Sequence, residues 1–159
     1  MLDQAGKVIE QGGNGATLKA QPGSLKNVQI SASTQVINAA SVTYRLRLTP
    51  MDPIAVASRP LLQVTFPPQL WVANLNTASM TVLNNRILLI KDLGMKQDQV
   101  AGQYTQIEVA VGGVRNPVAA GETESFLVRL GVTGGDGSFE VVGEVDQGVT
   151  FTAIPSNDL

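Results

Sequence analysis

Apolar and polar residues alternate with a period of two along much of this chain. Residues 41–49 give the clearest case, because every second side chain is apolar and the side chains between are polar or charged. A helix would spread these apolar residues around its circumference, whereas a strand places them on one face. We therefore predict a half-buried strand with one apolar face, formed by Val42, Tyr44, Leu46 and Leu48.

Eight further segments fit the same description. Strands are predicted at residues 27–32, 61–66, 80–83, 86–90, 106–111, 125–132, 138–142 and 149–153. Pro67 and Pro68 end one of them, and Asn84-Asn85 predicts a tight hairpin because asparagine tolerates a positive φ. Eight or nine short antiparallel strands with frequent turn signals indicate an all-β sandwich or barrel.

Two other segments look different from strands. Residues 91–100 are the best candidate for a helix, although Gly94 interrupts them. Residues 49–60 contain three prolines and are predicted to form a surface crossover between the two sheets.

The two ends of the chain resemble each other. Residues 7–22 align without gaps on residues 140–155, at an offset of 133 (140 minus 7). Five pairs are identical: Val8/Val141, Gly15/Gly148, Thr17/Thr150, Ala20/Ala153 and Pro22/Pro155. A repeat of this length has the size of a domain. We expect residues 1–22 to be the closing hairpin of a preceding module or a linker, residues 23–155 to be one sandwich module, and residues 156–159 to be a linker.

Composition narrows the possible functions. The chain contains neither cysteine nor histidine, which removes disulfides, thiolate nucleophiles and Ser-His-Asp catalysis. We therefore expect no enzyme activity, no cofactor, and no catalytic or metal-binding residues. The net charge of −2 gives no electrostatic reason to expect nucleic acid as a partner, and no apolar run reaches the ~20 residues of a membrane span.

Four acidic residues near the C-terminal end could bind calcium at a junction between modules, namely Asp136, Glu140, Glu144 and Asp146. Their spacing matches no calcium-loop motif, and a solvated turn and strand face is the favoured interpretation.

Arginine and aromatic residues suggest two other surfaces. Arg45 and Arg47 share a strand face and could form a small patch for an anionic glycan, although the solvent-exposed side of an antiparallel strand is the favoured interpretation. Trp71 could stack on a sugar ring, but we expect the single tryptophan to be a partly buried anchor. Tyr104 is a second possible sugar contact.

Several motifs resemble one family of repeats. These motifs are residues 23–30, residues 41–50, the strand ending in Phe66-Pro67, and residues 114–117 followed by residues 124–128. Together they are similar to Ig-like repeats of large extracellular proteins from bacteria, ciliates and algae. The resemblance implies a β-sandwich used as a spacer, stalk or adhesive module, often in tandem, with no catalytic residues.

Three functions remain open on these grounds. The first is a structural module of an extracellular surface, stalk or filament protein, whose partners are neighbouring modules or identical subunits. The second is an adhesive module that binds carbohydrate. The third is an Ig-like decoration domain of a virus or phage. We expect an extracellular or cell-surface location.

Overall fold

The computed structural model describes residues 23–93, 95, 100, 104–133, 136 and 138–156, and they are almost entirely β-structure. One short 3-10 turn covers Val56–Ser58. Twelve strands follow one another in chain order: β1 (Gly23–Ala32), β2 (Val42–Pro50), β3 (Leu61–Thr65), β4 (Trp71–Val72), β5 (Leu75–Asn76), β6 (Met80–Leu83), β7 (Ile87–Ile90), β8 (Ile107–Arg115), β9 (Gly121–Glu122), β10 (Leu127–Thr133), β11 (Phe139–Val145) and β12 (Thr152–Ala153).

Ten of these strands are linked by hydrogen bonds into one continuous sheet. This sheet forms two layers, because β1 pairs with a strand of each layer. Gly23 and Ser24 pair in parallel with β11, and the rest of β1 pairs antiparallel with β2. One layer, the β2 layer, has the order β4-β8-β2-β1, and the other, the β3 layer, has the order β11-β10-β3-β7-β6-β5. The orders β4-β8-β2-β1 and β11-β10-β3 match the two sheets of an immunoglobulin-type sandwich. The predicted all-β antiparallel sandwich is confirmed.

The hydrophobic core lies between the two layers and is centred on aromatic rings. The Tyr44 ring of the β2 layer lies 6.1 Å from the Phe66 ring and 5.1 Å from the Phe151 ring, centroid to centroid. Phe66 in turn lies 5.0 Å from Phe126. Because Phe66 and Phe126 belong to the β3 layer, this chain of rings packs one layer against the other.

The strand count is higher than predicted, because β4, β5 and β9 contain only two residues each. Two residues are too few to show a periodic pattern. The hairpin prediction is confirmed, since Asn84 and Asn85 both have φ near 55° between β6 and β7, as a type I′ turn requires.

The helix predicted at residues 91–100 is not found in its described part. Residues 91–93, Met95 and Val100 are not helical, while Gly94 and residues 96–99 lie outside the described residues. Residues 51–60 connect β2 in one layer to β3 in the other, and Ile54 of this crossover is buried.

Asn116 is a polar residue buried in the core, with 2% of its surface exposed. Its Oδ1 accepts a hydrogen bond of 2.6 Å from the Tyr44 hydroxyl. Its Nδ2 donates to the carbonyl oxygens of Thr34 and Val36, at 3.0 and 2.9 Å. One amide side chain therefore fixes the loop after β1 to the strand that carries the central aromatic ring.

We expect Asn116→Ala to lower the free energy of unfolding by about 3 kcal/mol or more, because two carbonyls and one hydroxyl lose their partner. Tyr44→Phe removes one of the three hydrogen bonds and should cost about 1–2 kcal/mol. Urea denaturation measures both. Asn116→Asp keeps the oxygen that accepts from Tyr44 but loses both N–H donors, so it should lower the free energy of unfolding by more than Tyr44→Phe does. An equal loss in the two variants would contradict this account.

The Tyr44 hydroxyl also predicts a pH dependence. Burial raises the pKa of Tyr44 above the ordinary value of 10.0. The folded protein then keeps a proton that the unfolded chain loses, so this contribution to stability is complete below pH 10 and declines above it, by up to about 1.4 kcal/mol per pH unit. Urea denaturation at rising pH should show the decline in the wild type but a shallower one in Tyr44→Phe. Tyr104→Phe, which removes the other tyrosine, should keep the wild-type slope.

Candidate functional site

The two arginines singled out in the sequence lie on the outer face of the β2 layer. Arg45 and Arg47 both point away from the core and both contact Glu108 of β8. The closest N–O distances are 3.6 Å for Arg45 and 3.3 Å for Arg47. One carboxylate therefore holds two guanidinium groups in position and leaves an excess of positive charge.

Two more cations continue this surface along the sheet. Lys26 of β1 is exposed and pairs with Thr49, so it lies beside the outward face of β2. Arg115, at the end of β8, follows the buried Val114 and is exposed. We call the surface formed by Lys26, Arg45, Arg47, Arg115 and Glu108 the basic face.

The prediction that Trp71 is a partly buried anchor is wrong, because 44% of its surface is exposed. Leu70 and Val72 are buried on either side of it, so the alternation of the strand turns Trp71 outward. Trp71 pairs with Arg115, whose guanidinium carbon lies 5.2 Å from the centre of the indole ring. The sequence signal for this exposure was the pair of apolar residues, Leu70 and Val72, on either side of Trp71, and the sequence analysis missed it.

Tyr104, the other candidate for contact with a sugar, is not brought near Trp71. It precedes β8, whose first residue Ile107 pairs with Leu48, whereas Trp71 pairs with the last residue of the same strand. Nine residues at about 3.3 Å each separate the two positions. A site shared by the two aromatic residues is therefore excluded.

The acidic residues considered for calcium do not converge either. Asp136 precedes β11 and Asp146 follows it, so the seven-residue strand holds them about 20 Å apart or more. Glu144 accepts a 2.8 Å hydrogen bond from Arg129 on the neighbouring strand. Hydrogen bonds from Ser138, first from its side chain and then from its backbone, hold the pKa of Asp136 below its usual value. Among the described residues, no group of three acidic side chains could hold a metal ion.

The C-terminal residues 146–156 form a segment that closes the sandwich, and we call it the closing segment. Gly148 takes a positive φ of 80°, which favours glycine. Val149, Phe151 and Ala153 then alternate into the core. Backbone hydrogen bonds join this segment to the stretch before β10: Thr123 N–H to Phe151 O at 2.8 Å and Phe126 N–H to Val149 O at 2.7 Å. The predicted strand at 149–153 is thus regular only in β12.

The outer face of the β3 layer has a different character. Outward positions on β3, β7 and β10 include Leu61, Ile87, Leu89 and Leu127, all half-buried. Leu61 and Leu89 also line an open cavity of about 440 Å³ beside the crossover, together with Arg59 and Lys91. Its wall is mainly apolar.

Several predicted features lie outside the described residues. They include the N-terminal copy of the repeat at residues 7–22 and, from the predicted C-terminal linker, residues 157–159. Gly112 and Gly113 lie within β8, where Gly113 has a φ of 73° and the register with β2 shifts. This irregularity is a β-bulge.

The part of the chain that the structure describes contains no helix with the length and apolar character of a membrane span. A scan of the sequence against models of protein families gives no match, and a search among curated proteins gives none either. The resemblance to Ig-like extracellular repeats stays a prediction from the short motifs.

Proposed function

We propose that this chain is a non-catalytic structural module that occurs in tandem in an extracellular surface, stalk or filament protein. Its partners are neighbouring modules of the same kind, in the same chain or in identical subunits. The observation that carries the proposal is the match between residues 7–22 and residues 140–155, which contain most of the closing segment, together with what the matched residues do in the structure.

Three of the matched positions have a demanding structural role. Gly15 matches Gly148, the residue with positive φ, and Ala20 matches the buried Ala153. Leu18 matches Phe151, which is 4% exposed and packs on Tyr44. If the similarity were due to chance, we would not expect apolar residues to match at alternate positions that are buried in the closing segment. Residues 7–22 therefore have the pattern needed to close a sandwich, while residues 140–155 already close this one.

The path of the chain suits a linear array. β1 begins with Gly23 next to Gly143, whereas the closing segment leaves next to Val36, beyond the far end of β1. The ten residues of β1 separate these two points by about 30 Å. A period of 133 residues places the next copy of Gly23 directly after Pro155. Successive modules would thus follow one another end to end, separated by no more than the four residues predicted as a linker, 156–159.

Composition supports the rest of the proposal. Charged residues make up 15% of the chain, and the sequence lacks the histidine and cysteine on which much hydrolytic chemistry depends. A mostly polar, weakly charged sandwich with chain ends at opposite poles suits a spacer. The extracellular location follows the family of repeats that the sequence resembles.

One prediction compares the two copies of the closing pattern within this chain. Phe151→Ala should lower the free energy of unfolding by about 3–5 kcal/mol, because it leaves a cavity beside Tyr44. Leu18→Ala, the matched change, should leave the stability unchanged, because residues 7–22 close a preceding module. Urea denaturation measures both variants. A large destabilisation by Leu18→Ala would show that the N-terminal copy packs on this module, and it would contradict the proposal.

A second prediction concerns two consecutive modules. We expect a protein in which a second copy of residues 23–155 directly follows Pro155 to be an extended, stiff particle in small-angle X-ray scattering. The matched control carries a flexible Gly-Ser linker at the junction and should give a broader distribution of distances. Two modules that tumble as freely without the linker as with it would argue against a stalk or filament.

A further inference from the structure

We propose that the basic face binds an acidic polysaccharide, a polymer whose sugar rings carry carboxylate groups. This surface is on the outer side of the β2 layer, away from the closing segment that supports the tandem arrangement. The proposal is thus independent of the proposed function, and either one can fail alone.

The charge of the basic face opposes that of the whole chain. Four cations and one carboxylate leave this face with an excess of three positive charges, whereas the chain carries −2. Charges of one sign on one face attract polymers of the opposite sign and orient their approach.

The cations are arranged in a stripe along the strands. Arg45 and Arg47 lie two residues apart on β2, which places them about 7 Å from each other. Lys26 lies level with Thr49, and Arg115 lies just beyond the pair formed by Val42 and Val114. Eight residues of β2 separate these two levels, so the stripe is about 25 Å long. An extended polymer with regularly spaced anions fits such a stripe.

The polar groups between the cations suit sugars. Gln29 and Ser31 of β1 lie opposite Arg47 and Arg45, and both are exposed. Amide and hydroxyl groups donate and accept hydrogen bonds, as sugar hydroxyls require. Glu108 adds a carboxylate acceptor between the arginines, which a sugar hydroxyl satisfies and a phosphate backbone does not.

Trp71 provides a ring surface at one end of the stripe. It is exposed and contacts Arg115, so a guanidinium and an indole ring are presented together. Exposed tryptophan supplies apolar area at little cost in conformational entropy, and a sugar ring is a flat partner for it. Nucleic-acid binding uses several aromatic side chains that stack on successive bases, whereas the basic face offers one.

The test uses the fluorescence of Trp71, because it is the only tryptophan of the chain and belongs to the proposed site. Titration with polygalacturonate, a carboxylated polymer, should change its emission, and added salt should weaken the binding. Neutral dextran should have no effect. The double variant Arg45→Gln/Arg47→Gln should bind at least about tenfold more weakly, because each change removes a charged hydrogen-bond donor.

Arg59→Gln is the matched control, since it removes the same charge from an exposed residue before β3 in the other layer. It should bind polygalacturonate as the wild type does, and urea denaturation should show that all variants are folded. Absence of an emission change, or equal weakening by Arg59→Gln, would overturn the proposal. So would equal affinity for polyglutamate, which carries the charge without the sugar rings, or tighter binding of single-stranded DNA.

Discussion

The hydrogen bonds of one buried amide hold together parts of the chain that are far apart in sequence. Asn116 lies in the core and joins Tyr44 of β2 to the carbonyls of Thr34 and Val36. Val36 in turn lies next to Ile154 at the end of the closing segment. A buried polar group costs several kcal/mol when it lacks partners, so the loop and the strand are held to one geometry. The position of the closing segment, and with it the direction in which the chain leaves, depends on this arrangement.

The strand pattern was predictable wherever a segment was long enough to show alternation. Val42, Tyr44, Leu46 and Leu48 are all buried, as their period of two indicates. The two-residue strands cannot be predicted from alternation, because they form only where another segment of backbone lies close enough to pair with them. Trp71 shows how the prediction of burial from residue type can fail. Its large apolar side chain suggested burial, but it is exposed because it lies between the buried Leu70 and Val72 on its strand. Asn116 gave no signal at all, since its three partners come from distant segments.

The candidate site was predictable only in part, for a related reason. Arg45 and Arg47 could be placed on one strand face from the sequence, but the residues across from them could not. The register of β2 with β8 brings Glu108 between the two arginines, and the end of β8 brings Arg115 to Trp71. The charge at one place on a sheet depends on side chains from neighbouring strands. Which strands become neighbours depends on contacts between residues far apart in the sequence. In the other layer, the length of β11 keeps Asp136 and Asp146 apart.

The parallel contact between β1 and β11 has a mechanical consequence. The described part of the chain enters at the start of β1 and leaves beyond its far end, and β1 and β11 run in the same direction. Tension applied at Gly23 and at the end of the closing segment therefore acts along the strands and in opposite senses on neighbouring ones. Hydrogen bonds loaded in this shearing direction share the force and break together, whereas bonds at a hairpin that is pulled open break one at a time. The topology places the module among those that resist stretching along their own axis.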